Sequence, residues 1–313
     1  MILVEDKRIG NSPFDTWVPE DVSLMLVPPE VRDCVSFICR RKSVGGEPTP
    51  AGTAFLVIVP IPGSDLGHCY FVTARHVVEK AQKDGVDEFC YWRMNSVGGG
   101  FRYARRSWDM WHFHPTDKSV DVAVAEWCPP KEYDFNCFPM QSFATTEVIA
   151  KSGIGHGDEV FVVGLFTQHS GKKRNIPIIR IGNIAAMNDE PIECKWANGP
   201  MDAYLIEARS IGGLSGSPVF AHLGMGMTPL GQRAPGTFYL LGLIHGHWNI
   251  PPEPMMDIAI DDADRFDLVN TGIAIVVPAT KVIEVIDQPF FQKRREEDYE
   301  KIAQERRDLV VPD

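Results

Sequence analysis

The sequence predicts an all-β protein made of two six-stranded Greek-key β-barrels followed by a C-terminal helix. Twelve short β-branched or aromatic runs, separated by turn signals rich in Gly, Pro and Asp, favour this fold class. A Pro-rich polar stretch at residues 128–146 divides the runs into two sets of six. Apolar residues at helical spacing over residues 279–286 predict the helix.

The chain divides into five predicted segments. They are an irregular lead-in (1–33), a first β-barrel (34–127), an inter-barrel crossing (128–146), a second β-barrel (147–278) and a C-terminal helix with a charged tail (279–313). Charge alternates in sign along the tail, which is typical of a solvated helix or a frayed end.

The predicted strands of the first barrel are Cys34–Arg40, Gly52–Val59, Cys69–Ala74, Glu88–Met94, Trp108–Phe113 and Val120–Trp127. A short helical pattern follows the third of them and runs through Lys83. The predicted strands of the second barrel are Glu159–Phe166, Ile176–Ala185, Ala203–Ala208, Ser217–Ala221, Thr237–His247 and Gly272–Val277. A long loop, Gly224–Gly236, is expected between two strands of the second barrel.

Composition and charge exclude several functional classes. The 313 residues are 44% hydrophobic and 23% charged, as in an ordinary globular protein. The formal net charge of −11 argues against a general role in binding nucleic acid or anionic membranes.

No run approaches the roughly 18 apolar residues of a transmembrane helix, and no secretory signal is visible at the start. The seven cysteines are scattered and odd in number, so we expect reduced thiols in a cytoplasmic protein.

A glycine-flanked serine leads directly into a predicted strand at residues 212–220. A serine hydroxyl attacks poorly unless a neighbouring base activates it and backbone N–H groups receive the negative charge on the substrate oxygen. Glycines before Ser215 allow the N–H groups of Gly213 and Ser215 to point at one spot, as an oxyanion hole requires. Taken alone, the pattern also fits a tight turn that enters a strand.

Two further motifs decide between these interpretations. His76 ends a strand-like run, and Asp121 stands at the start of an alternating strand. Histidine exchanges protons near neutral pH, and a carboxylate can orient an imidazole. The order His76, Asp121, Ser215, and the intervals between them, agree with one of the known arrangements of a Ser-His-Asp triad.

On these residues the chain resembles the trypsin/chymotrypsin-like serine peptidases, in particular the bacterial members with a Ser-Gly-Ser-Pro-Val run. Thr73–Val77 matches the Thr-Ala-x-His motif, and Asp121–Val124 matches the Asp-hydrophobic-Ala-hydrophobic motif. Gly213–Pro218 matches the Gly-x-Ser-Gly motif, with Ser217 in place of the commoner glycine. The resemblance covers residues 34–288 and is specific only at the three motifs.

The resemblance implies a chymotrypsin-like double barrel with the site in the cleft between the barrels. It implies a serine endopeptidase in which Ser215 is the nucleophile, His76 the proton carrier and Asp121 the residue that orients His76. Leu214 departs from the family pattern. An aspartate before the serine pairs with a newly cut N-terminus in zymogen-activated relatives, and leucine cannot, so we expect no activation by that route.

The resemblance also implies a substrate-binding strand at Leu241–Trp248. Its alignment places five residues at the substrate site: Arg209, Ser210, Ile244, His245 and His247. In this alignment His245 falls where relatives often carry a serine that bonds the catalytic aspartate. Arg209 would lie at the base of the pocket and favour an acidic substrate side chain, although it could equally face solvent.

Two histidine pairs, His112 with His114 and His245 with His247, could each hold a metal, but spacing suggests no third ligand. We therefore expect no metal and no cofactor. A protein or peptide is the expected substrate, and the sequence leaves open whether a partner protein activates the enzyme. A catalytically silent peptide-binding module of the same fold is the alternative. An α/β-hydrolase esterase is excluded, because that fold places its serine before the acid and the histidine.

Overall fold

Strands are the predominant regular structure of the described chain, as the sequence predicts. The computed structural model describes residues 4–5, 27–64, 66–166, 169–193, 199–208, 213–224, 237–250 and 269–310. Most of the predicted lead-in, and all but the first residue of the predicted loop at 224–236, lie outside these ranges.

The first half of the chain forms one sheet of nine strands. They are β1 (Val4–Glu5), β2 (Val35–Arg40), β3 (Thr49–Pro60), β4 (Leu66–Thr73), β5 (Phe89–Asn95), β6 (Phe101–Ser107), β7 (His112–Phe113), β8 (Ala123–Glu126) and β9 (Phe138–Pro139). The main path runs β6, β5, β2, β3, β4, β8, β7, while β1 pairs with β4 and β9 pairs in parallel with β3. Within the described residues, no strand pairing joins the two ends of this path.

The second half forms a closed six-stranded barrel. Its strands are β10 (Glu159–Gly164), β11 (Ile178–Ala186), β12 (Tyr204–Glu207), β13 (Pro218–Leu223), β14 (Thr237–Ile250) and β15 (Val269–Pro278). All pairs are antiparallel and follow the ring β10, β11, β12, β15, β14, β13. Each strand overlaps one of the six predicted for this barrel.

The two units share one strand order. Numbered along the chain, the second barrel closes as 1-2-3-6-5-4. The six principal strands of the first unit (β2, β3, β4, β5, β6 and β8) lie in the order 5-4-1-2-3-6, which is the same ring opened between strands 5 and 6. The chymotrypsin-like double-barrel fold is therefore confirmed, with a first unit that is more open than predicted.

The first unit also differs from the prediction at its edge. The predicted strand Trp108–Phe113 is a single 3₁₀ turn, Trp108–Met110, followed by the two-residue strand β7. The edge position belongs to β6, which the sequence prediction missed because its basic, half-exposed residues lack a continuous apolar face. Arg105 stacks over Phe89 on the neighbouring strand β5, which helps to hold this polar edge in place.

Five α-helices accompany the strands in the described residues. They are α1 (Pro29–Asp33), α2 (Arg75–Asp84), α3 (Thr146–Ser152), α4 (Ala279–Ile286) and α5 (Pro289–Val310). The predicted helices appear as α2 and α4, whereas α3 was not predicted. The charged tail forms α5, which is not wholly solvated: Phe291 and Arg295 on this helix are buried. No helix of the described residues is long and apolar enough to cross a membrane.

Along strand β10 of the second barrel, apolar side chains alternate between two packed layers. Val160 and Val162 of β10 belong to the interior of the barrel, and the intervening Phe161 and Val163 pack with the core of the first unit. Phe138 of β9 lies edge-on against Phe220 of β13, with ring centroids 4.9 Å apart. The two units are thus joined by apolar packing, and the first turn of α2, the approach to β8 and the middle of β14 meet at their junction.

Candidate active site

Asp121 and His76 are joined by two hydrogen bonds. His76 lies in the first turn of α2, where backbone N–H groups have no acceptor within the helix. The Oδ1 atom of Asp121 accepts the backbone N–H of His76 at 2.9 Å. The Oδ2 atom accepts from Nδ1 of the same residue at 2.7 Å. One carboxylate therefore caps the helix and fixes the orientation of the imidazole.

A second imidazole bonds the same carboxylate. Nδ1 of His245 lies 2.5 Å from Oδ2 of Asp121, and the two histidine rings meet edge to face with centroids 5.3 Å apart. The pairing of β14 with β15 shifts register between Ile244 and Gly246, which is where the backbone departs from regular alternation. Asp121 and His245 are buried, whereas the side chain of His76 is 38% exposed.

The histidines decide the charge state of Asp121. Burial opposes ionisation, but the nearby His76 and the hydrogen bonds from His245 and His76 favour the carboxylate. Together, His76 and His245 outweigh burial and hold the pKa of the Asp121 carboxyl well below its usual range. At neutral pH the site therefore contains a buried carboxylate anion between two imidazoles.

Ser215 lies in a tight turn that packs closely against the C-terminal end of β4. The N–H of Ser217 donates to the carbonyl of Leu214 at 2.9 Å, which closes a four-residue turn around Ser215 and Gly216. Gly216 has φ = 80°, which favours glycine at this position. A Cβ atom on Gly216 would lie 2.3 Å from the carbonyl oxygen of Thr53 and from Oγ1 of Thr73. Both the backbone angle and the space therefore require glycine after the serine.

Two backbone N–H groups of the turn have no acceptor in the described part of the structure. Within the described residues, no acceptor is present for the N–H of Gly213 or of Ser215. The carbonyls of these residues are held by Thr53: its hydroxyl donates to Gly213 at 3.0 Å, and its N–H donates to Ser215 at 3.1 Å. Thr53 thus holds the turn in place through its carbonyl groups. The N–H groups of Gly213 and Ser215 could then receive an oxyanion.

The hydroxyl of Ser215 donates to the backbone carbonyl of His245 at 3.3 Å. Among the described residues, it makes no hydrogen bond to the imidazole of His76. A substrate-free catalytic serine often bonds its base only loosely, and this bond then tightens when substrate binds. Rotation about one side-chain torsion would release the hydroxyl from the His245 carbonyl.

The residues predicted to bind substrate lie in different surroundings. Ile244 is buried, and its N–H and carbonyl bond Ser217 and Gly216 at 2.9 and 2.8 Å, so its backbone supports the serine turn. His247 is half-buried, and burial lowers the pKa of its imidazole. Arg209 and Ser210 lie outside the described residues, and their role stays a prediction.

Within the described residues, neither predicted histidine pair belongs together to a group of three possible metal ligands. His112 stacks on Phe290 with centroids 5.0 Å apart, whereas His114 pairs with Glu284 at 3.2 Å. His245 turns toward Asp121, as described above. In the part of the chain that the structure describes, the group that could hold a metal is instead His76, Asp121 and His245, whose ligand atoms all lie within 4.8 Å of one another.

Thr53 is a site residue that the sequence did not single out, and Thr73 was noted only as part of the motif around His76. The hydroxyl of Thr73 donates to the carbonyl of Thr53 at 2.6 Å, and the N–H of Leu165 donates to the hydroxyl of Thr53 at 2.8 Å. Thr53 thus connects β3 to the serine turn and to the end of β10. Threonine is common in strands, so these long-range contacts leave no local signal in the sequence.

Comparisons with known proteins return matches to structures alone. No protein-family model and no curated protein matches the sequence. The MamO protease domain of Magnetospirillum magneticum is 15% identical, with a TM-score of 0.48, and the alignment covers 83% of this chain and 98% of that one. The active form of the Rv3671c protease of M. tuberculosis is 18% identical, with a TM-score of 0.44 and coverages of 90% and 92%. Deg5 is 15% identical, with a TM-score of 0.45 and coverages of 82% and 88%.

Proposed function

We propose that the protein is a serine endopeptidase that hydrolyses peptide bonds through an acyl-enzyme. The observation that carries this proposal is the pair of hydrogen bonds, 2.9 and 2.7 Å long, that fixes His76 on Asp121 beside the serine turn. The order of the three motifs in the sequence supports it independently.

The reaction follows from the roles of these side chains. The hydroxyl of Ser215 turns from the His245 carbonyl to Nε2 of His76, which takes its proton as the oxygen attacks the substrate carbonyl carbon. The N–H groups of Gly213 and Ser215 receive the developing oxyanion. His76 then gives the proton to the leaving amine, and a water activated in the same way hydrolyses the ester. Asp121 stabilises the imidazolium that forms in each step.

The oxyanion hole in this proposal does not depend on a newly cut N-terminus. Leu214 is buried and aliphatic, so it cannot pair with an amine. The carbonyls of the turn are already bonded to Thr53. We therefore propose an enzyme that zymogen cleavage does not activate.

Substrate preference is a separate part of the proposal. If Arg209 lines the pocket, the enzyme prefers Glu or Asp immediately before the cut bond, because a guanidinium holds a carboxylate through two hydrogen bonds. The expected result is that Arg209→Ala weakens cleavage after acidic residues more than any other cleavage. A wild-type profile without acidic enrichment at that position would contradict the preference and leave the triad untouched.

We further propose that the enzyme works in the cytoplasm on protein or peptide substrates, without a cofactor or nucleic acid. The cysteines among the described residues include Cys34, Cys39 and Cys90, which are buried and form no disulfide, and the sulfur atoms of Cys69 and Cys137 lie 3.5 Å apart. Burial raises the pKa of Cys39 to about 12, which keeps this thiol protonated and chemically inert.

A catalytically silent peptide-binding module is the second candidate. The hydrogen bond from Ser215 to the His245 carbonyl, rather than to His76, is the observation that favours it. Mass-spectrometric profiling of cleavage on a peptide library separates the two. We expect new termini with the wild type and none with Ser215→Ala. Peptides that bind the wild type but stay intact, or identical cleavage by Ser215→Ala, would contradict the peptidase proposal.

A further inference from the structure

The two imidazoles on Asp121 form a group that a simple triad does not need. Oδ1 of Asp121 accepts the backbone N–H of His76, and Oδ2 faces Nδ1 of both His76 and His245, at 2.7 and 2.5 Å. The three atoms Oδ2, Nδ1 and Nδ1 belong to different elements, namely the approach to β8, the first turn of α2, and β14. These three atoms lie close together, and none of them belongs to the serine turn.

The chemistry of this group matches zinc. Two imidazoles and one carboxylate, with a fourth position for water, form a ligand set found in zinc enzymes. The carboxylate of Asp121 would supply the one anionic ligand of such a set. Zinc with bonds of about 2.0 to 2.2 Å holds tetrahedral ligands roughly 3.3 Å apart. The two separations between Oδ2 and an Nδ1 atom, 2.7 and 2.5 Å, would therefore each lengthen by less than about 1 Å.

We propose that Zn²⁺ binds Nδ1 of His76, Nδ1 of His245 and Oδ2 of Asp121, and that it reversibly inhibits the enzyme. A metal on Nδ1 of His76 requires the imidazole proton to sit on Nε2. That nitrogen then has no lone pair to accept the proton of Ser215, so the hydroxyl stays unactivated. Solvent reaches the site through His76, the exposed member of the group.

The other histidines of the described chain offer poorer sites. His222 is buried and lies 2.8 Å from Glu159, and His114 lies 3.2 Å from Glu284, but in neither case does a third ligand group form within the described residues. His222 is therefore a matched control: a buried imidazole that bonds one carboxylate through Nδ1, away from the proposed site.

Zinc binding can be measured without catalysis. We expect isothermal titration of the full-length Ser215→Ala protein to give one tight zinc site, and cobalt in its place to give the visible absorption of a tetrahedral ion. His245→Asn keeps an N–H that can donate to Asp121 but removes the ligand nitrogen. It should weaken zinc binding by roughly 100-fold or more, which exceeds the usual effect of an outer-shell change. His222→Asn should leave the affinity within about two-fold.

The inhibitory part of the proposal rests on the proposed function and has its own readout. Micromolar zinc should abolish peptide cleavage by the wild type, and a chelator should restore it. An unchanged zinc affinity in folded His245→Asn, or in a second variant, His245→Ser, would overturn the zinc site and leave the peptidase proposal standing. Tight zinc binding by a protein that cleaves no peptide would instead overturn the peptidase proposal and the inhibitory role that rests on it, and leave the zinc site standing.

Discussion

At the scale of single residues, Asp121 determines how the site is arranged. Its carboxylate accepts the backbone N–H of His76 and the Nδ1 groups of His76 and His245. A buried carboxylate is costly unless hydrogen bonds satisfy it, and three donors meet this need. The same bonds restrict the imidazole of His76 to one orientation, so Asp121 contributes both to stability and to the proposed chemistry.

The lowered pKa of Asp121 makes a prediction about stability in acid. Its folded-state pKa lies below the unfolded value of about 3.9. Its stabilising contribution is therefore fully present above pH 4 and is lost as the pH falls toward the folded-state pKa. When the pH is lowered from 5 to 3, the unfolding free energy of Asp121→Asn should therefore fall by less than that of the wild type. Urea denaturation at the two pH values measures this difference.

The control for this measurement is Asp134→Asn, which changes an exposed carboxylate 3.9 Å from Arg174. It should follow the wild type between pH 5 and pH 3. If Asp121→Asn lost as much stability as the wild type over this interval, Asp121 would not be the ionised, bonded group described here.

The residues of a triad act as one unit, and this can be tested by combining substitutions. We expect Ser215→Ala and His76→Ala each to lower kcat/KM for peptide cleavage by several orders of magnitude. The kcat/KM of the double variant should be little lower than that of either single variant, because His76 acts only by taking the proton of Ser215. Additive losses would show that the two residues do not share one mechanism.

At the scale of elements, the serine turn owes its shape to the strands beneath it. Thr53 of β3 anchors two of its carbonyls, and Ile244 of β14 bonds Gly216 and Ser217. Gly216 is the point of closest approach, where its Cα faces the carbonyl of Thr53 and the hydroxyl of Thr73. The position of Ser215 is thus set by contacts from both units.

Gly216→Ala tests this arrangement. The new methyl group would clash with backbone and side-chain oxygens at 2.3 Å, and φ = 80° would be strained by about 1–2 kcal/mol. We expect a loss of unfolding free energy clearly larger than that strain, together with a large fall in kcat/KM. Chemical denaturation and peptide hydrolysis measure the two effects.

Gly153→Ala is the matched control, because Gly153 has φ = 69° at the end of α3 but no atom within 4 Å of the position that a new methyl group would occupy. It should show the backbone strain alone and full activity. Equal losses of stability in the two glycine variants would contradict the close approach at Gly216.

Elements with a strong local pattern could be predicted, and those shaped by distant contacts could not. Strands of the second barrel such as β10 and β13 bury apolar residues on two faces, and all six strands overlap predicted ones. The edge strand β6 was missed because its alternation is masked by arginines. His76, Asp121 and Ser215 each stand in a recognisable motif. Thr53 has no such motif, because its role depends on contacts more than 100 residues away in the sequence, such as the bond to Leu165.

At the scale of the whole molecule, α5 is fastened across the first unit by a buried arginine. Arg295 donates to the hydroxyl of Tyr70 at 3.0 Å, to the carbonyl of Ile286 at 2.9 Å and to Asp287 at 2.6 Å. Burial raises the pKa of Tyr70, which therefore stays neutral beside this cation. The C-terminal helix is thus part of the folded body rather than an appendage.

Arg295→Ala should therefore destabilise the protein by about 2–4 kcal/mol, because it leaves buried polar partners unpaired. The neighbouring Arg294 is 54% exposed and pairs with Glu126 at 3.1 Å. Arg294→Ala should cost less than about 1 kcal/mol, as exposed pairs do. Thermal and urea unfolding measure both, and equal effects would contradict the anchoring role of Arg295.

The proposed chemistry depends on one activated serine at the junction of the two units. Ser217, two residues away, provides an internal comparison, because its hydroxyl is buried and lies against Gly164 without a hydrogen-bond partner among the described residues. Labelling with a fluorophosphonate, read by intact mass and peptide mapping, tests the claim most directly. We predict stoichiometric labelling at Ser215 in the wild type and in Ser217→Ala, and none in Ser215→Ala or His76→Ala. An unlabelled wild type, or a label that persists in Ser215→Ala, would contradict the activation of Ser215.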